Sequence, residues 1–63
     1  MFQVHDKVMV TPKGAQWREF FAFVDGWRGE VTGWNNGFVM VVCQQQEGPK
    51  TLFVPPDCLT LTV

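Results

Sequence analysis

Hydrophobic and polar positions in this chain come in short bursts, and a turn residue ends each burst before a helical period can build. Lys7 to Thr11, "KVMVT", is rich in β-formers and stops at Pro12, which predicts a first strand. "PKGAQ" has loop chemistry, because proline fixes φ and glycine frees it. "WREFFAF", residues 17–23, fits either an extended arm or one helical turn. Asp25-Gly26 signals a turn, and Trp27 to Trp34 predicts a second strand carrying Gly29 and Gly33. Glycine inside a strand marks a bulge, a bend or a close backbone approach. Asn35-Asn36-Gly37 predicts a tight hairpin, since Asn and Gly tolerate positive φ. Phe38 to Cys43 predicts a third strand and Thr51 to Val54 a fourth. Between them "QQQEGPK" reads as a polar connection, with Gly48-Pro49 as its breaker. Pro55-Pro56-Asp57 cannot continue a ladder and suits one 3₁₀ turn, with Asp57 as a turn cap. Leu59 to Val63 predicts the fifth strand.

This order resembles an SH3-like fold. The expectation is an all-β, five-stranded SH3-like barrel, residues 1–63, with a long first loop and a 3₁₀ turn before the last strand. Gly29 and Gly33 suit the sharp bend of a strand that serves both halves of such a barrel.

The third strand changes the functional picture. "FVMVVC" is apolar at every position, whereas a half-solvated antiparallel strand alternates. One face, Val39, Val41 and Cys43 or its complement Met40 and Val42, must point away from the domain's own core. Either the "WREFFAF" loop folds over it or another chain does. A large exposed apolar patch marks an interaction site. Trp17 and Arg18 stand side by side in the long loop, and Trp34 sits at the rim of a hairpin. Aromatic and arginine side chains dominate interface energetics. The expected binding surface is therefore Trp17, Arg18, Phe20, Trp34 and the outward strand-three positions, taken as Met40 and Val42. Trp27 is expected to pack at the bend.

Composition narrows the classes. With 63 residues the chain makes one domain with a marginal core. Five basic and six acidic side chains give a net charge of −1. The cations Lys7, Lys13, Arg18, Arg28 and Lys50 are scattered and form no basic stripe, which argues against nucleic acid as partner. The longest apolar run, Phe38 to Cys43, is far too short to span a bilayer. No export signal stands at the start, so the expected location is cytoplasmic and Cys43 and Cys58 are expected as free thiols.

Candidate chemistry adds little. His5, Cys43 and Cys58 lack zinc spacing, and Cys43 in an apolar strand reads as a small buried hydrophobe. His5, alone before the first strand, reads as exposed or locally hydrogen-bonded. The carboxylates form no acid/base pair in sequence, and "GEVTG" has neither the length nor the lysine of a phosphate loop. No tyrosine is present to line a polyproline groove. No catalytic residue, metal or cofactor is expected.

Two family resemblances bear on this. "HDKV", "WRGEVTGW" and "LFVPPDCL" resemble segments of the plasmid-encoded type II dihydrofolate reductases, small SH3-like barrels that assemble as tetramers around a pore. The resemblance implies oligomerisation through strand surfaces and, as an alternative function, an NADPH-dependent reductase. The family's pore glutamine, isoleucine and tyrosine fall on Leu52, Phe53 and Val54, and its substrate-orienting lysine falls on Val10. Those replacements remove the polar groups that hold nicotinamide and pterin. "FVDGWRGEV" resembles the lead-in to strand two in the variable chain of ferredoxin–thioredoxin reductase, an accessory subunit without its own active site. The reading is a non-catalytic small β-barrel that acts by self-association or by docking on a protein. A KOW-like nucleic-acid-binding barrel is a further alternative.

Overall fold

A computed structural model describes residues 2–62. Five antiparallel strands form one sheet: β1 (Lys7–Val10), β2 (Arg28–Asn35), β3 (Phe38–Gln45), β4 (Gly48–Val54) and β5 (Leu59–Leu61). Their order is β4-β3-β2-β1-β5. A short helix, α1 (Ala15–Phe20), lies in the first connection, and a 3₁₀ turn, Pro56–Cys58, precedes β5. The all-β expectation holds, but the sheet is not closed: β4 and β5 are its two edges and do not pair with each other.

The inner face of the sheet is built from small β-branched residues. Val8, Val10, Val31, Val39, Val41 and Val54 are all 0% exposed, with Cys43 and Cys58 beside them. Valine suits a pleated surface because its branched Cβ packs against cross-strand neighbours with little rotamer loss. β3 shows the period-2 logic directly: Val39, Val41 and Cys43 are buried, while Met40 and Val42 between them are half-buried. The inward register is thus the valine one, and Met40 and Val42 lie on the outer face.

Gly29 sits where three strands meet, opposite Val8 on β1 and Cys43 on β3. A Cβ there would stand 2.5 Å from the Val42 carbonyl oxygen and 2.8 Å from Cys43 Sγ. Only glycine lets the backbones come this close. Gly33 differs: it lies at a register shift between Val31 and Gly33, and a Cβ would meet nothing nearer than Met40 Sδ at 3.8 Å. Of the reasons the sequence offers for glycine in a strand, close backbone approach applies at Gly29 and a bulge at Gly33.

The two hairpins turn by different chemistry. Asn36 (φ 51°) and Gly37 (φ 83°) both take positive φ between paired Asn35 and Phe38, the geometry that matches strand twist. The second hairpin is tighter than expected, because most of the "QQQEGPK" connection belongs to the strands it joins. Gln44 and Gln45 continue β3, and Gly48-Pro49-Lys50 opens β4. Gln46 and Glu47 keep negative φ, and Gly48 completes the reversal at φ 122°. Pro49 does not break β4, because β4 is an edge strand and a missing N–H on its free side costs no ladder bond.

Residues 17–23 resolve into the end of α1 and a run of turns. Ala15, Gln16, Arg18 and Glu19 are good helix formers, and Trp17, Phe20 and Phe21 fall at i, i+3 and i+4, on one face. So short a helix is not stable alone. Phe21, just past its end, is buried in the core, and Trp17 packs against the same cluster. The loop therefore covers the inner face of the sheet, not the outer face with Met40 and Val42. Trp27 is partly buried against the core and its carbonyl accepts from Val10 N at 2.8 Å, which ties the loop back to β1. Asp57 lies within the 3₁₀ turn but makes no side-chain cap bond. β5 ends at Leu61, and Val63 lies outside the described residues.

Candidate binding groove

Aromatic side chains gather where α1 faces β4. Trp17 stacks on Phe21 with ring centroids 5.5 Å apart and meets Phe20 edge-on at 5.9 Å. Phe38, the first residue of β3, meets Trp17 edge-on at 6.4 Å. Phe20 and Phe21 form a further edge-on pair at 4.9 Å. These are favourable aromatic geometries, so the rings form one cluster rather than separate exposures. Gln16, Trp17, Glu19, Phe20 and Phe21 make one wall of an open groove, and Phe38, Thr51, Leu52 and Phe53 make the other. Phe20 is 72% exposed, and Phe38 and Phe53 also remain exposed.

Of the residues expected to form a contact surface, the structure brings Trp17 and Phe20 together here. Arg18 is exposed on the same helix but does not line the groove. Trp34 pairs with Val39 at the far end of β2 and is exposed there. Met40 and Val42 lie on the outer face, Met40 between Gly33 and Phe53, Val42 between Glu30 and Thr51. Phe53 thus joins the groove to the outer-face strip. Phe38 was not singled out from the sequence, and Leu52 and Phe53 only as the positions where the resembled family's pore residues fall. The signal that finds them is register: once β4 is known to pair with β3, Met40 opposite Phe53 follows.

The outer face also carries a polar hollow lined by Lys7, Arg28, Glu30, Thr32, Val42 and Gln44, among others. Lys7 Nζ donates to Glu30 Oε1, and His5 Nδ1 donates to Glu30 Oε2 at 2.8 Å. The Lys7 hydrogen bond, then the His5 bond, holds the Glu30 carboxyl below its ordinary value. His5 is exposed and hydrogen-bonded, as expected. All these groups are solvated, and ion pairs of that kind contribute little to stability.

Cys43 and Cys58 are both buried and free, and burial pushes the Cys43 thiol up. Among the described residues no three His, Cys, Asp or Glu side chains gather into a metal-binding group, and no helix is long and apolar enough to cross a membrane. Comparison of the chain with family models, with curated proteins and with solved structures finds no match.

Proposed function

We propose that this chain is a non-catalytic binding module, an open SH3-like barrel that works by contact with another polypeptide, a second copy or a foreign chain. The fold reading is supported by the strand order, the long first connection, the two hairpins and the 3₁₀ turn before β5. One observation carries the function: the core is mainly valine, and Phe20, Phe23, Trp34, Phe38 and Phe53 stay exposed while Phe2, Trp17 and Trp27 pack half-buried against it. Of six phenylalanines and three tryptophans, the buried core takes in only Phe21. Large aromatic rings bury the most area per residue and usually dominate cores. A small domain has little stability to spare, and each large apolar side chain fully buried stabilises by about 1.5–3 kcal/mol. Rings held at the surface in contact with one another supply that area to a partner.

The direct experiment places a photoreactive phenylalanine analogue at Phe20 in cells that make the protein. Irradiation should give a covalent adduct with a polypeptide, a second copy included, and the same analogue at Asn36 should not. No adduct at Phe20, or equal adducts at both positions, contradicts the reading.

A further inference from the structure

The groove between α1 and β4 has a feature that an ordinary apolar depression lacks. Thr51, Leu52 and Phe53 are consecutive, and all three line it. Successive side chains leave a strand on opposite faces. In β4, Leu52 pairs with inward Val41, while Thr51 and Phe53 pair with outward Val42 and Met40. Side chains from both faces line one groove only where that groove wraps the strand's free edge. β4 is the last strand on its side of the sheet, and among the described residues no other backbone bonds to its free side. Alternate residues of β4 therefore present unpaired N–H and C=O groups along the groove. α1, with Trp17 and Phe20, stands opposite.

An unpaired strand edge is a template for another extended chain. From this we infer that the groove binds an extended segment of a foreign protein as a sixth strand on Lys50–Val54. The partner's side chains alternate, one set against Trp17 and Phe20, the other beside Phe53. Main-chain bonds then give affinity and the aromatic wall gives selectivity, the strand-addition mode of peptide recognition. The inference rests on the binding-module reading and names its partner.

A second copy fits this edge poorly. Two β4 strands related by a two-fold axis through Leu52 would set Lys50 against Val54 twice and put Pro49 against Pro55 at both ends. Neither proline has an N–H to donate. Shifting the axis by one residue shortens the ladder further or moves Pro49 inside it. Lys50 also pairs with inward-facing Cys43, and an inward-pointing charge on an edge strand opposes sheet-to-sheet pairing. A proline-free foreign segment brings none of these obstacles from its own side.

The probe is a synthetic peptide of about ten residues, proline-free, alternating threonine with valine and phenylalanine, and long enough to pair with the five-residue edge. It is titrated into ¹⁵N-labelled protein of full length, followed by amide shifts and amide hydrogen exchange. Alternate amides within Lys50–Val54 should exchange more slowly on binding, with Trp17 and Phe20 shifting. N-methylation of alternate peptide nitrogens should weaken binding by about tenfold, the scale of one or two lost hydrogen bonds. Phe20→Ser should weaken it too, and Arg18→Ala should not. Shifts confined to Met40 and Val42 would overturn strand addition while leaving a polypeptide-binding module. A protein that dimerises through β4 without peptide would assign the edge to a second copy and overturn it equally. No binding at millimolar peptide overturns it as well, and the crosslinking at Phe20 then decides separately whether the module reading survives.

Discussion

The inner face of the sheet and the groove at its edge are built to opposite rules. Inside, six valines at 0% exposure pack across four strands with no polar side chain among them. At the edge, three phenylalanines and a tryptophan lean on one another, with Phe53 across the groove, beside a strand that among the described residues has no neighbour on one side. The inner face is specified by shape: small, stiff side chains at alternate positions, with a glycine where the strands come closest. The groove is specified by surface: large rings held by a six-residue helix that has no buried residue of its own. If the groove is a binding site, folding and recognition rest mainly on different residue types, with Phe21, Trp17 and Leu52 shared by both.

The sharpest break is expected at Gly29. Its Cβ would meet backbone, which cannot rotate away, so Gly29→Ala should destabilise by about 3 kcal/mol in urea unfolding. Gly33→Ala, with open space around it, should change stability by less than about 0.5 kcal/mol. Equal losses at the two sites would remove the steric account of β2.

Next comes Val41→Ala, which deletes two fully buried methyl groups and should cost about 2 kcal/mol, cavity included. At the first hairpin, Gly37→Ala puts a Cβ on a residue at φ 83° and should cost about 1 kcal/mol, with no change in binding. Thermal or urea midpoints check both.

The smallest effect lies on the outer face and concerns pH. The Glu30 carboxyl is held below its ordinary value of 4.5, so its pairing stabilises the fold above that pH. The contribution fades as the pH falls through the lowered folded value. Glu30→Gln should flatten this acid limb by lowering stability slightly above about pH 6, where the pairing is present, and should leave stability unchanged once the carboxyl of the parent is protonated. An identical acid limb in the variant would show that other carboxyls carry it.

Much of the inner face was legible in the sequence, and the groove much less so. β1, the Asn36-Gly37 turn and the 3₁₀ turn depend on local chemistry: valine alternation, positive φ, adjacent prolines. The true extent of β3 and β4 was missed because Gly48-Pro49 stops a central strand, and nothing local says that β4 is an edge. That miss concealed the site. Without the pairing of Gln44 with Pro49 and of Met40 with Phe53, the segment "TLFV" is one more apolar run, and its free side is invisible. Trp17 and Phe20 stood out by residue type, but Phe38 joins them through tertiary contact, which no spacing in the chain records.

The central claim is that the exposed aromatics serve a partner and not the fold. Urea unfolding of the double variant Phe20→Ser, Phe53→Thr tests it most directly. Phe20 is 72% exposed and Phe53 46%, and threonine keeps the strand preference of β4. The account predicts a free energy of unfolding within about 1 kcal/mol of the parent, the usual range for two surface substitutions. A loss of about 3 kcal/mol or more, the scale of emptying a core site, would contradict it and make the aromatic cluster part of the folding core.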